Sequence, residues 1–466
     1  MRSATARLAV LAAILVSLAV PTMASATVST AEINESLAKG VTYLKGLQSE
    51  ASGEITGFGG DWSLTSLAAA GTASADVDKS GVAGRDARSW YEGVVGAAGW
   101  PSGGLSTDYE RGALIAYAAG IDPARVSKRS NLLAGIAGSY QPASPGYYGE
   151  TFNGTVFGLL ALADAKTIAG VKRFPAKVYE GAIAAVEANQ HTDGGWTWQK
   201  AAGNETVLKS ASEPDLTGAA MAALCDAGVP ATATTITKAK AYLVSIFESK
   251  TGAFKSEFGN NTDSNAWAVD GLKACKIDPQ GSEFTGAAPA KKTPLNYLIS
   301  QQIASGTGAG GFKYSTASTA EEYASQDAIR ALGSGSFTAI PPVPKSGEQW
   351  HGVKSFGTVA GETASLALVI EKGSEPLKVC SVTVNPEAAT IPLSKVLDAA
   401  VAGGSKPSAC VTSYLPSSGT GAITQVNGAP STPEARWKVG IDGGALATAE
   451  RGTTIHVGDT IYLKFE

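Results

Sequence analysis

Between Gln190 and Gly228 the chain passes through a Gln-x-x-x-Gly-x-Trp turn (Gln190, Gly194, Trp196) and a polar loop. It then enters residues 216–224, where every position is small or apolar. A helix with no polar face has to be enclosed on all sides. Asp215 stands directly before it as an N-cap candidate, and Gly228 is its stop signal. The same order recurs in six copies, with glycine-rich turns at 57–60, 100–104, 145–148, 193–196, 251–254 and 310–312. Small-residue helices are predicted behind them at 64–71, 112–120, 154–163, 216–228, 266–275 and 326–332. Segments such as 32–47 and 175–189 instead carry apolar residues three and four apart and read as amphipathic outer helices. A period of about 40–60 residues marks a repeat architecture whose units bury their faces against neighbours. The period fits an open solenoid and a closed ring equally.

After residue 332 the pattern changes. Glycine and serine at 333–336 and the Pro-Pro-Val-Pro run at 341–344 cannot stay helical. Beyond them apolar residues alternate with period two, predicting strands at 365–370, 378–384, 437–441, 453–457 and 460–465, with a short helix at 393–402. The expected organisation is helical repeats over 29–335, a linker over 336–354 and a β-rich domain over 355–466.

Residues 1–26 read as a secretory leader: Arg2 and Arg7, an apolar run at 8–20, then Ala24-Ser25-Ala26 as a cleavage site. The run is shorter than the ~20 residues a spanning helix needs, so an exported protein with no membrane span is expected. Losing the two arginines makes the formal charge of −4 more negative still, which argues against nucleic acid as a partner. Four cysteines in an exported chain point to disulfides. Cys225 and Cys275 end consecutive small-residue helices, and Cys380 and Cys410 share the C-terminal region, so these two local bonds are expected, with free buried thiols as the alternative.

The Gln190–Trp196 turn and the Asp-Leu-Thr-Gly-Ala-Ala-Met-Ala-Ala-Leu helix at 215–224 resemble the prenyltransferase/squalene-cyclase repeat. That resemblance covers about 30–335 and implies an α6/α6 toroid of six helical hairpins, making the chain mainly α with a small β-rich (α+β) domain after it. A second resemblance lies in the C-terminal region. Val382-Thr383-Val384, the 390–400 segment, 421–428, Arg436-Trp437-Lys438-Val439 and Val457-Gly458-Asp459-Thr460-Ile461 follow the order seen in the intrinsic factor/transcobalamin family. That family also carries an Asp-Thr-Gly-Ala-Met-Ala segment similar to 215–222, with one residue inserted here after Asp215 and one more alanine before Met221. The resemblance implies cobalamin, or another corrinoid, held between toroid and β domain, with the β domain as lid.

A corrinoid is a broad, largely apolar disc edged with amides, suited to a cleft with apolar walls and a few placed polar groups. Inner-helix N-termini supply unpaired N–H groups at one rim of a ring. Polar candidates near those starts are Asp61, Asp108, Arg111, Glu150, Asn153, Asp215, Asp263, Asn265 and Gln326. Aromatic candidates are Trp62, Tyr109, Phe152, Trp198, Trp267 and Tyr323, with Trp437 from the β domain. An acid before a helix can equally be only a cap, worth about 1 kcal/mol, and a turn Trp such as Trp196 can be an inter-repeat wedge.

Catalytic signatures of the repeat families are missing. No two Asp residues adjoin, so there is no Asp-x-Asp-Asp acid motif, and no carboxylate cluster reads as a magnesium–diphosphate site. Asp226 directly follows Cys225, the wrong order for a prenyltransferase zinc site, and no Gly-Cys-Gly-Glu-Gln thioester segment occurs. His191, His351 and His456 lie far apart, and 209–214 has no His where some transcobalamins present one to cobalt. The expected protein is a monomeric carrier of a small-molecule ligand, with a cell-surface receptor or transporter as partner and no catalytic cofactor or metal. An exported enzyme acting on an isoprenoid through an acid such as Asp215, and a cell-surface interaction module, are the alternatives.

Overall fold

The computed structural model of the chain describes residues 27–97, 100–101, 105–126, 131–168, 173–198, 211–285, 292–315, 319–348, 363–386, 388 and 390–466. The expected leader, the tip of the second turn at 102–104, the polar loop 199–210, His351 and the junction at 349–362 fall outside these residues. The helices are α1 (Thr30–Gly46), α2 (Ser63–Ala69), α3 (Ala87–Val95), α4 (Ser106–Ala118), α5 (Leu132–Gly138), α6 (Phe152–Ile168) and α7 (Ala176–Ala188). They continue with α8 (Pro214–Asp226), α9 (Thr234–Ser245), α10 (Thr262–Ala274), α11 (Ser282–Thr285), α12 (Pro294–Ser300), α13 (Glu322–Leu332) and α14 (Leu393–Val401).

The six small-residue segments appear as α2, α4, α6, α8, α10 and α13. Each packs on the next in that order, and α13 packs back on α2 to complete a circuit. Around it, α1 lies on α13, α5 on α4, α7 on α6, α9 on α8 and α12 on α10. All six inner helices begin earlier than expected, because the residues before the all-small runs are helical as well. Pro214 opens α8, where its missing N–H is harmless. Glu213 is therefore the N-cap, and Asp215 lies inside the first turn, accepting from the Leu216 N–H at 2.7 Å.

The turn motif has a mechanical role. Gln48, Gln190 and Gln302 each donate from Nε2 to a turn carbonyl (Gly53, Gly194, Gly310) and to a carbonyl of the adjoining unit (Val77, Thr235, Ser36). Trp196 is fully buried and donates from Nε1 to the Val186 carbonyl at 2.9 Å, so it is a wedge between units. Gly194 and Gly310 have φ of +95° and +88°, and each lies against a backbone carbonyl of an outer helix, Lys238 and Lys39 respectively. The second of these joins the last turn to α1. Gly310→Ala is expected to destabilise by about 1–3 kcal/mol through overlap added to strain. Gly306→Ala, at φ +83° with open space around it, should cost only the strain; equal melting-temperature losses in the two would remove the packing explanation.

The β-rich region contains a six-stranded sheet whose strands lie in the order Ala447–Thr448, Trp437–Ile441, Thr460–Phe465, Ala364–Lys372, Lys378–Val384 and Ser405–Lys406. Two short strands lie in the helical region, β1 (Phe247–Glu248) and β2 (Ala253–Phe254). The others are β3 (Ala364–Lys372), β4 (Lys378–Val384), β5 (Thr390–Pro392), β6 (Ser405–Lys406), β7 (Tyr414–Pro416), β8 (Ile423–Val426), β9 (Ala429–Pro430), β10 (Trp437–Ile441), β11 (Ala447–Thr448), β12 (Thr454–His456) and β13 (Thr460–Phe465). β13 and β3 pair in parallel, and the other pairs are antiparallel. Alternation along β3 sends Leu366, Leu368 and Ile370 into a core with α14 and Trp437, while Ala367 and Val369 join Val379 in the helical core. The sheet docks through α5, helped by Asn131 Nδ2 donating to the Ser365 carbonyl (2.9 Å) and by the Arg125–Asp459 and Lys177–Glu371 ion pairs at 3.1 and 2.6 Å. This shared core sets the β region against the flank of α5, where the resemblance implied a lid. Both expected disulfides, Cys225–Cys275 and Cys380–Cys410, are present.

Candidate functional site

The inner helices start together at one rim, and two adjoining concavities open there. The larger, about 840 Å³, lies between the starts of α4 and α6, the face of α5 and the β region. Its helical wall carries Trp100, Tyr109, Tyr140, Gln141, Glu150 and Asn153, and its β wall Ser365, Ser381, Thr383, Lys406 and Pro407. Trp100 and Tyr109 meet edge to face at 5.7 Å, and the Tyr109 ring lies against Gly135, where any Cβ would collide with it. This crevice therefore joins an aromatic corner to a surface of hydroxyl and amide groups. Thr383 belongs to the Val382–Val384 motif, and Ser365 and Ser381 to predicted strands, but only the docking of the sheet brings them and the α5 residues to the rim.

The second concavity, about 540 Å³, is the mouth of the circuit and is lined by helical-region residues alone. Trp62, Phe157, Trp267, Phe58 and Tyr323 supply rings, and Asp108, Asp263, Asp327 and Arg111 supply charge. Beneath it the interior is filled. Arg330 is fully buried, bonded to Asp270 at 2.8 Å and Asp327 at 2.7 Å, with its guanidinium 4.3 Å from the Trp267 ring centroid. Phe337, from the segment read as linker, packs against Trp62 and Trp267 at 5.5 and 5.6 Å. Burial, then the charges of Asp327, Asp215 and Glu321, pushes the Asp263 carboxyl up to about 8, against the pull of Arg330. Burial likewise raises Asp215, opposed by its Leu216 N–H bond.

The expected site residues separate accordingly. Tyr109 and Glu150 line the crevice; Trp62, Asp108, Arg111, Asp263, Trp267, Tyr323 and Gln326 line the mouth; and Asn153 lies where the two adjoin, its Oδ1 lacking a hydrogen-bond partner. Asp61 stands behind the mouth, paired with Arg111. Asp215 lies at the rim but lines neither concavity. Three candidates are core residues. Phe152 is fully enclosed, Asn265 is consumed by bonds to the Phe254 backbone and the Asn261 carbonyl, and Trp437 fills the β core, donating from Nε1 to Ala429 at 2.9 Å. Trp198 is exposed and reaches neither concavity. His191 also lines neither, and among the described residues no group of His, Cys, Asp and Glu is arranged to hold a metal. No described helix is long and apolar enough to cross a membrane.

No known protein family matches the chain, and no characterised protein sequence does. Among solved structures, similar ones include the apo type II terpene cyclase MstE from Scytonema, 13% identical over 66% of this chain and 98% of that one, with a TM-score of 0.43. Haptocorrin in complex with Cbi is 12% identical over 94% of this chain and 97% of that one, with a TM-score of 0.36. A protein from Actinoplanes is 13% identical over 64% and 98%, with a TM-score of 0.37. Likenesses of this degree leave the function to be argued from the residues themselves.

Proposed function

We propose that the chain is an exported binding protein whose six inner helices and the helices around them form an α/α toroid, and that it holds a cobalamin-like corrinoid in the crevice between toroid and β region. The observation that carries this reading is the crevice itself, about 840 Å³ and walled by both regions. Its chemistry matches an apolar disc with an amide edge: Trp100, Tyr109 and Tyr140 offer ring faces, while Gln141, Ser381, Thr383 and Lys406 offer hydrogen bonds. Two disulfides suit an oxidising compartment. The isoprenoid-enzyme reading meets a circuit interior already occupied by Arg330 and Phe337, which leaves a shallow, carboxylate-lined mouth in place of a long apolar chamber.

The test is retention of cyanocobalamin. Protein mixed with the vitamin and freed of unbound ligand by filtration is expected to keep its visible absorbance. Thr383→Trp places a large ring in the crevice from an exposed strand position. It should weaken retention at least about tenfold with little change in melting temperature. A colourless wild-type fraction with no thermal shift ends the corrinoid reading.

A further inference from the structure

The mouth meets the crevice at Thr107 and Asn153, but no β-region residue lines it. Five aromatic side chains border it. Trp62 and Trp267 are stacked with centroids 6.5 Å apart, Phe157 meets Trp267 edge-on at 5.5 Å, and Tyr323 meets Phe58 edge-on at 6.4 Å. Ring faces carry partial negative charge and attract cations. The chain already uses this attraction internally, since the Arg330 guanidinium lies within 5.5 Å of the ring centroids of Trp62, Trp267 and Phe337.

Charge at the mouth points the same way. Of its three carboxylates, Asp327 is paired with Arg330, and the one lining cation, Arg111, is paired with Asp61. Asp108 and Asp263 have no ion-pair partner among the described residues, and the buried Oδ1 of Asp263 has no hydrogen bond. From these rings and unpaired carboxylates we infer that the mouth is a second binding site, for an organic monocation such as a quaternary ammonium. This inference stands whether or not the crevice takes a corrinoid.

A bound cation would relieve the crowding of negative charge around Asp263. The groups that face it are Asp327, Arg330 and the Tyr323 hydroxyl on α13, Glu321 at the start of that helix, Asp215 on α8, and the Tyr297 and Tyr314 hydroxyls. Burial and its acidic neighbours hold Asp263 protonated below about 8. Cation binding favours the ionised form, so affinity should rise as pH increases through that value.

The experiment titrates the full chain with choline and with its neutral isostere 3,3-dimethylbutan-1-ol, followed by calorimetry and tryptophan fluorescence. Choline is expected to bind about tenfold or more tightly than the alcohol, and more tightly at pH 9 than at pH 6. Asp263→Asn should lose most of that preference and its pH dependence, while a single cooperative melting transition shows that it is folded. Tyr323→Leu, at a partly exposed position, should weaken choline as well, and Thr383→Trp should leave choline binding intact. Equal binding of choline and the alcohol, or no binding of choline at millimolar concentration, overturns the inference. So does an Asp263→Asn variant that binds choline as the wild type does. Loss of cyanocobalamin retention with choline binding preserved would count against the crevice reading alone.

Discussion

Arg330→Met is expected to lower stability by about 3–5 kcal/mol, the usual consequence of removing one partner from a buried ion pair. Both Arg330 and Asp270 are completely inaccessible, and Asp270 already sits at about 7 because burial outweighs the attraction of Arg330. Without the guanidinium, Asp270 loses its strongest compensating charge and Asp327 loses a bond of 2.7 Å. Trp62, Trp267 and Phe337 also lose the group packed against their faces. Arg330→Lys should recover little, because an ammonium cannot form the two-sided fork or stack on the rings. Adding Asp270→Leu to Arg330→Met should recover a large part of the loss, since an apolar replacement removes the uncompensated charge. Thermal and urea midpoints for the three variants decide this. A loss below about 1 kcal/mol for Arg330→Met, in the range of an exposed pair, would show that the triad contributes little.

Raising the pH from 5 to 8.5 should lower the melting temperature by on the order of 5 °C, from several kcal/mol spread over a large chain. Burial is the main cause in each contributing group. It lifts Asp263 to about 8 and Asp270 and Glu322 to about 7, and holds Glu110 and Asp164 well above the carboxylate range. The folded protein therefore binds more protons than the unfolded chain between the unfolded and folded values. That stability is fully present below the unfolded carboxylate range and is lost as pH rises through the folded values. Glu371 works in the opposite sense; burial raises it, but bonds from Lys177 and Tyr462 bring it below its usual value. Glu110 allows a direct check. It is fully buried on α4 with neither carboxylate oxygen hydrogen-bonded, so Glu110→Gln should raise the melting temperature at pH 8.5 more than at pH 5. Calorimetry at fixed ionic strength is the measurement, and a melting temperature that climbs with pH would contradict the assignment.

Much of the fold was legible because the signals are local. The all-small helices announced α2, α4, α6, α8, α10 and α13, and period-two alternation announced β3, β4, β10 and β13. The two-residue strands β6, β9 and β11 were invisible, since a pair of residues carries no period. The site was less legible. Acids before inner helices were read as caps or pocket groups, yet Asp215, Asp263 and Asp108 sit within first turns, where the helix dipole favours negative charge. Phe337 looked like linker and is core. Arg330 looked like an ordinary charge near a helix end.

By itself, the amino-acid sequence determined the repeat grammar and the change from helical to β pattern, because each depends on residues near one another in the chain; the cysteine pairs were an expectation, with free thiols as the alternative, until the fold brought them together. The tertiary structure alone decided that Arg330 is sealed beneath the mouth with an aspartate sixty positions before it. It also decided that the sheet stands beside the rim and that the expected site residues divide between two concavities. Burial and charge balance are set by groups brought in from distant segments, and no local pattern records which of them will meet.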